Sequence, residues 1–131
     1  NILLDILDDK RSSHADAKEL YHLIDNGDLH AYISESVLTT ADYIIQKMAA
    51  KEKRVSIWTE LLDTIELLPC TSATCRKAMQ SGFSDLEDAI LYQLAKEHSV
   101  DYFISSDKGF KKQFKSSLQV LTPKEFLTIN G

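Results

Sequence analysis

Short apolar runs alternate along this chain with longer segments of helical periodicity, and this alternation constrains the fold more than any other feature. Strands are predicted at residues 30–34, 65–68, 101–105 and 118–121, where β-branched, aromatic and aliphatic residues are concentrated. Each of these runs is followed by a helical pattern. Short apolar strands joined by helices form parallel sheets that are covered on both faces. The sequence therefore predicts an α/β fold with three layers, α/β/α, around a short parallel central sheet.

The helices are predicted from apolar residues spaced three and four apart and from cap signals at the helix ends. They cover residues 14–26, 35–50, 55–64, 71–82, 84–98 and 107–114, with a last helix that begins at Thr122. Gly27 is expected to end the first of them. Ser84 and Glu87 are expected to form a capping box. Pro123 and Glu125 have the positions typical of a helix start.

The chain opens with an apolar segment, NILLDIL, that is too short to stand alone and has no strand before it. An α/β unit normally supplies such a strand, and a parallel sheet without its central member would leave backbone groups unpaired in the core. We therefore expect the natural chain to extend upstream of Asn1 by about six to ten residues that form a strand.

The composition predicts one soluble domain that spans residues 1–131. Four glycines and two prolines leave no linker-like stretch, and no repeat or low-complexity tract is present. No apolar run reaches the ~20 residues of a membrane span, and no signal-peptide pattern is visible. Cys70 and Cys75, in a C-x4-C arrangement, match neither a zinc site nor a disulfide framework. We expect a cytoplasmic protein, without membrane association, whose thiols are free.

The formal net charge of −5 argues against a protein that coats nucleic acid by neutralising phosphates. It does not exclude a nuclease, because an acidic centre that holds divalent metal also makes the formal charge negative. Basic residues gather late in the chain, at Lys108, Lys111, Lys112 and Lys115. The position of these lysines is more informative than the net charge.

Three aspartates lie where parallel α/β folds bind ligands, just after strands and in the first turns of helices. Asp107 directly follows the predicted strand 101–105, and Asp85 and Asp88 are three residues apart at a helix start. That spacing places both carboxylates on one helix face. Acidic residues are also favoured at helix N-termini for ordinary electrostatic reasons. Taken alone, the aspartates are compatible with both a ligand site and surface chemistry.

The order of these features resembles the PIN family of nucleases. The similar segments are NILLD at the front, AYIS before the second long helix, SDLEDA at residues 84–89 and DYFISSDKGF at residues 101–110. The most specific part is D-x-x-D-A followed by I-S-S-D-x-x-F. The resemblance spans nearly the whole chain and implies a PIN-like fold.

The resemblance also implies site residues. Asp88 is similar to the third acidic position of the family and Asp107 to the fourth, and Ser105 is similar to the hydroxyl residue before the last Asp. These three are the implied catalytic residues. Asp88, Asp107 and Asp85 are the implied metal ligands, and Asn1 lines the site as part of the D-x-N that opens the family pattern. The implied ion is Mg²⁺ or Mn²⁺, which take oxygen ligands.

The chain departs from the family pattern at two positions. The first catalytic Asp of the pattern would precede Asn1 by two residues, where this sequence has nothing. The second acidic position aligns with Thr40, and the nearest acid, Asp42, is two residues further along the helix. Two residues correspond to about 200° of rotation, so Asp42 is the second acidic position only if the alignment shifts.

The function implied by the resemblance is a metal-dependent endoribonuclease, a hydrolase that cleaves single-stranded RNA. VapC-type members of the family are toxins of toxin–antitoxin systems, so a small antitoxin protein and a homodimer are implied as partners. Lys108, Lys111 and Lys112 are candidate RNA contacts, although a solvated helix face explains them equally well.

Two other interpretations stay open. Thr40 and the missing first Asp are also compatible with a catalytically weakened PIN-like module that binds RNA or protein. A receiver-like or phosphatase-like α/β domain also collects aspartates at strand ends. That class needs an Asp nucleophile at the end of a middle strand and a Lys after a later strand, and no such pair is evident.

Overall fold

The computed structural model describes residues 2–114 and 117–130. The chain divides into two compact units, one built mainly from Leu3–Leu68 and the other from Pro69 onward. Helices and short strands alternate in both units, as the sequence predicts. That these units form one domain remains a prediction.

The first unit contains helices α1 to α4 and strands β1 and β2. In chain order they are α1 (Ile2–Leu7), α2 (His14–Asp25), β1 (Ala31–Ile33), α3 (Glu35–Ile45), α4 (Lys51–Leu62) and β2 (Ile65–Leu67). The two strands pair in parallel, with Ala31 opposite Ile65. The buried apolar side chains of this unit include Leu20, Ile24, Ala41, Ile45, Trp58 and Leu61.

The opening apolar segment is the helix α1. Leu3 and Leu4 are buried, and so is Asp5, whose Oδ1 accepts a hydrogen bond from Arg11 Nε at 2.7 Å. The main-chain oxygen of Asp5 also lies 2.8 Å from His14 Nδ1. A buried carboxylate is costly unless it is paired, so the ion pair with Arg11 explains how α1 tolerates a buried acidic residue.

The second predicted helix is shorter than expected and the third begins earlier. Instead of residues 35–50, α3 ends at Ile45, and α4 starts at Lys51 rather than near residue 55. Arg54 explains part of the difference, because its Nη1 donates to the main-chain oxygen of Ala49 at 3.1 Å. A side chain of α4 thus donates a hydrogen bond to a carbonyl in residues 46–50, the segment that the sequence predicted to be helical.

The second unit contains helices α5 to α8 and strands β3 and β4. In chain order they are α5 (Ser72–Met79), α6 (Leu86–Glu97), β3 (Phe103–Ile104), α7 (Lys108–Gln113), β4 (Val120–Leu121) and α8 (Pro123–Asn130). The strands pair in parallel, with Phe103 opposite Val120. The core of this unit is a buried cluster of Tyr92, Ala95, Phe103, Phe110, Leu118 and Val120.

Several helix ends follow their local sequence signals. Thr122 Oγ1 accepts from the backbone N–H of Glu125 at 3.1 Å, and Glu125 Oε1 accepts from the N–H of Thr122 at 3.0 Å. This is the reciprocal capping box expected around Pro123. Gly27, which follows α2, has a φ of +84°, a conformation that favours glycine.

The α/β class and the parallel pairing of short strands are confirmed. Backbone hydrogen bonds join the strands in two parallel pairs, β1 with β2 and β3 with β4. No helix in the described part of the chain has the length and apolar character needed to cross a bilayer.

Candidate active site

The first turn of α7 holds Asp107 in a defined orientation. Asp107 is the N-cap of this helix, and its Oδ1 accepts from the backbone N–H of Gly109 at 2.8 Å. Its own N–H donates to Ser105 Oγ at 3.1 Å. Ser105 is anchored in turn, because its N–H donates to the carbonyl of Leu121 at 2.9 Å. The pairing of β3 with β4 therefore continues into the loop that presents Asp107.

Gly109 allows the Asp107 carboxylate to sit close to the main chain. A Cβ added at position 109 would lie 3.1 Å from Asp107 Oδ1, which is tighter than most Cβ contacts in proteins. A larger residue would have to displace the carboxylate by a few tenths of an ångström. Gly109 was not among the residues singled out in the sequence, although the D-x-G spacing after a strand is a turn signal that could have found it.

The start of α6 differs from the predicted capping box. Asp85, not Ser84, is the N-cap, and its Oδ1 accepts from the N–H of Asp88 at 3.0 Å. The Ser84 hydroxyl instead donates to Gln113 Oε1 at 2.9 Å, on α7. The prediction of a Ser84–Glu87 capping box is therefore wrong. The serine hydroxyl donates to a residue distant in the sequence instead of accepting a hydrogen bond at the helix end.

Asp88 lies among other carboxylates. Its side chain is partly buried, and this burial is the largest cause of a rise in the pKa of Asp88 to about 6. The negative charges of Asp85 and Asp107 add to the rise, and Glu87 contributes less. The N-termini of α6 and α7 therefore bring three of the predicted acidic residues within electrostatic reach of one another. Like charges held this close favour a protonated carboxyl or a bound cation.

The donor chemistry of this cluster suits a hard divalent cation. Carboxylate oxygens are the ligands that Mg²⁺ and Mn²⁺ prefer, and such ions keep several waters in their coordination shell. Across residues 2–114 and 117–130, no group of three or more His, Cys, Asp or Glu side chains is arranged to hold a metal ion. Asp88 and Asp107 offer oxygen donors and a local excess of negative charge.

Asp42, the alternative second acidic residue, has other partners. Its Oδ1 accepts from Trp58 Nε1 at 2.8 Å and from Arg54 Nε at 3.0 Å. The hydrogen bond from Trp58, followed by that from Arg54, lowers the pKa of Asp42. These bonds connect α3 to α4, so the carboxylate has a structural role. Thr40 lies on the same helix and is partly buried, and Asn1 lies outside the described residues.

The three predicted RNA-contacting lysines differ in their surroundings. Lys111 Nζ forms an ion pair with Glu125 Oε2 at 2.6 Å, and the hydrogen bond from Lys111 lowers the pKa of Glu125 to about 2. Glu125 also caps α8, so Lys111 contributes to the helix start. Lys108 and Lys112 are exposed on α7.

Tyr92, one turn beyond Asp88, is part of the core rather than of the site. It is buried, and its hydroxyl donates to the main-chain oxygen of Leu118. Its ring is stacked with that of Phe114 at a centroid distance of 4.6 Å. Tyr92 therefore anchors the middle of α6 and so supports the helix whose first turn carries Asp88.

A family model described as "PIN domain" matches residues 1–109, a range that includes Asp85, Asp88 and Asp107. Ribonuclease VapC1 of Aquifex aeolicus (strain VF5) is 29% identical over an alignment of 131 positions, which covers 96% of this chain and 88% of that protein. No solved structure matches the chain. Because the family model covers well over half of the sequence, the chain belongs to the PIN domain family.

Proposed function

We propose that this protein is a metal-dependent endoribonuclease that hydrolyses single-stranded RNA. The observation that carries the proposal is the carboxylate cluster, in which burial and the charges of Asp85 and Asp107 raise the pKa of Asp88 to about 6. Shifted carboxyl groups of this kind are typical of functional sites. Membership of the PIN domain family and the similarity to a ribonuclease support the same reaction.

In this proposal, Asp88 and Asp107 hold Mg²⁺ or Mn²⁺ and Asp85 has a lesser part. When bound, the ion supplies an activated water at neutral pH and offsets the charge that develops on the phosphate oxygens. Asp85 fixes the start of α6 through its bond to the N–H of Asp88, at 3.0 Å, and adds negative charge to the cluster. Ser105 orients Asp107 by accepting its N–H at 3.1 Å.

The proposed RNA contacts are on α7, next to Asp107. Lys108 is the first residue of this helix and Lys112 lies one turn further, so both exposed ammonium groups belong to the element that carries Asp107 at its N-cap. Lys111 is the weakest of the three candidates, since Glu125 already accepts from its ammonium group at 2.6 Å. Phosphate neutralisation by a few lysines would give salt-dependent binding without sequence preference.

The biological setting is proposed from the resemblance to VapC-type toxins. The protein would act in the cytoplasm as the toxin of a toxin–antitoxin pair, form a homodimer and bind a small antitoxin. Asn1 would line the site as part of the family's opening D-x-N pattern.

Cleavage of a labelled single-stranded RNA tests the proposal, with protein produced from its complete reading frame. We expect cleavage with Mn²⁺ and none with EDTA. Asp88→Asn and Asp107→Asn should each abolish cleavage while circular dichroism stays unchanged. Asp101→Asn is the matched control, because Asp101 is an exposed aspartate of the same unit outside the cluster. Cleavage that survives EDTA and both variants would contradict the proposal.

A second candidate function is a catalytically weakened PIN-like module that binds RNA or protein. Two observations favour it: Thr40 stands at the second acidic position of the family pattern, and Asp42 is engaged by Trp58 and Arg54. Thr40→Glu restores the acidic residue of the pattern. A wild type that binds RNA without cutting it, together with a Thr40→Glu variant that binds Mn²⁺ more tightly and cuts, would establish this second function.

A further inference from the structure

The two cysteines lie on either side of the start of α5. Thr71 is the N-cap of this helix, and its Oγ1 accepts from the N–H of Thr74 at 3.2 Å. Cys70 is therefore the residue before the cap, and Cys75 is the fourth residue of the helix. In many helices, apolar side chains at these two positions contact each other as a hydrophobic staple. Here the staple consists of two thiols.

The thiols are in direct contact. Cys70 Sγ lies 3.7 Å from Cys75 Sγ, which is a hydrogen-bonding distance for sulfur. Cys70 is exposed and Cys75 is partly exposed, so reagents in solution can reach the pair. The N-cap bond from the N–H of Thr74 to Thr71 Oγ1 holds the backbone between the two cysteines.

We propose that Cys70 and Cys75 form a reversible disulfide that covalently staples the N-terminus of α5. A disulfide requires the sulfurs to approach from 3.7 Å to about 2.0 Å, a change that rotation of the two side chains can supply. The free thiols expected from the sequence are the reduced state of this pair. The inference does not depend on the nuclease activity.

The oxidant is a low-molecular-weight disulfide, and the reaction is thiol–disulfide exchange. The Cys70 thiolate attacks one sulfur of the small disulfide, which forms a mixed disulfide and releases one small thiolate. The Cys75 thiolate then attacks the Cys70 sulfur, which forms the internal bond and releases the second small thiolate. The two cysteine protons pass to the released thiolates, so two protein thiols are oxidised and one small disulfide is reduced to two thiols.

The helix that would be stapled packs against α6. Thr74 and Ala78 are its buried residues, and Thr74 Oγ1 donates to Glu97 Oε1 at 2.5 Å, near the end of α6. Partial desolvation, followed by the hydrogen bond with Cys75, raises the pKa of Cys70. Attack by the Cys70 thiolate should therefore be slow at neutral pH and faster at alkaline pH. Oxidation would fix the first turn of α5 and its contact with Glu97. Local opening of this turn should then become rarer.

Mass spectrometry after treatment with oxidised glutathione tests the proposal on the full chain. Both cysteines lie on one tryptic peptide, between Arg54 and Arg76. We expect this peptide to lose two hydrogens and to regain them with dithiothreitol. Hydrogen exchange of the first turn of α5 should slow by on the order of tenfold in the oxidised protein.

Two variants make the result specific. Cys75→Ser should stop at the mixed disulfide on Cys70, and Cys70→Ser should form no internal bond; neither should show slower exchange in α5. A wild type that yields only mixed disulfides or dimers linked between chains would overturn the internal disulfide. An internal disulfide without slower exchange in α5 would overturn its action as a staple.

Discussion

Asp42 and Asp88 are both partly buried aspartates in helices, one in each compact unit, but their surroundings are opposite. Asp42 accepts hydrogen bonds from Trp58 and Arg54, which lower its pKa. Asp88 lies among carboxylates, and burial together with their charges raises its pKa to about 6. Hydrogen-bond donors of the protein stabilise the negative charge of Asp42, whereas neighbouring negative charges destabilise that of Asp88.

The comparison separates a structural acidic residue from a candidate ligand by electrostatics rather than by position in a motif. Both aspartates lie on helices, but the family pattern includes Asp88 directly and Asp42 only if the alignment shifts. A carboxylate that already receives two donors gains little from a cation. A carboxylate that faces like charges gains much, since the cation removes the repulsion.

The largest expected effect is on metal affinity. Asp88→Asn should weaken Mn²⁺ binding by on the order of tenfold or more, because it removes an oxygen donor and the charge that a cation would neutralise. Asp42→Asn should leave Mn²⁺ affinity unchanged. Isothermal titration calorimetry on both variants measures the difference. Loss of binding in Asp42→Asn would mean that Asp42 is the second acidic ligand after all.

The next effect is on stability: Asp42→Asn and Asp88→Asn should change the free energy of unfolding in opposite directions. Asp42→Asn weakens the bonds that hold Trp58 Nε1 and Arg54 Nε at 2.8 Å and 3.0 Å, so the free energy of unfolding should fall. Asp88→Asn removes repulsion from Asp85 and Asp107, so the metal-free protein should gain stability. Urea unfolding with EDTA present compares them. Equal destabilisation by both variants would show that Asp88 is also structural.

The gain from Asp88→Asn should depend on pH. The pKa of Asp88 rises from 3.8 to about 6 in the folded protein, so the folded state binds this proton more tightly than the unfolded state. The stability that the bound proton contributes is lost as pH rises through about 6. The variant and the wild type should be equally stable below pH 3.8, and at pH 7 the variant should be more stable by about 1 kcal/mol after allowance for partial exposure. A difference that is constant with pH would contradict this assignment, and Asp101→Asn controls for loss of one surface carboxylate.

The parts of the fold that the sequence predicted are those with local causes. Three such parts are the cap at Thr122, the turn at Gly27 and the strand before Asp107. Each depends on residues within about one helical turn, so composition and spacing were enough to find them. The placement of Asp88 at a helix start has the same origin.

The differences between the predicted and the observed structure come mainly from contacts between residues that are distant in the sequence. Ser84 does not cap α6 because its hydroxyl donates to Gln113, 29 residues away in the sequence. The partners of Asp42 depend on how α4 packs against α3. No periodicity or cap signal contains that information, so the sequence aligned Thr40 with the second acidic position and left Asp42 as the alternative if the alignment shifts.

The smallest expected effect is on Mn²⁺ affinity when the Asp107 carboxylate is displaced. Substitutions at two glycines, Gly109 and Gly82, test it. A Cβ at Gly109 would lie 3.1 Å from Asp107 Oδ1, whereas a Cβ at Gly82 would have no atom within 4 Å. Gly109→Ala should therefore move the Asp107 carboxylate by a few tenths of an ångström and weaken Mn²⁺ binding by on the order of threefold. Gly82→Ala should leave the affinity unchanged.

Stability separates this effect from general damage to α7. Alanine is favoured over glycine inside helices by about 1 kcal/mol, so Gly109→Ala should not lower the free energy of unfolding even as the metal affinity falls. Calorimetric titration and urea unfolding on the same samples show whether the two quantities diverge. If affinity and stability fall together, the substitution has disturbed α7 as a whole. If neither the Mn²⁺ affinity nor the free energy of unfolding changes, the exact position of the Asp107 carboxylate does not matter for metal binding.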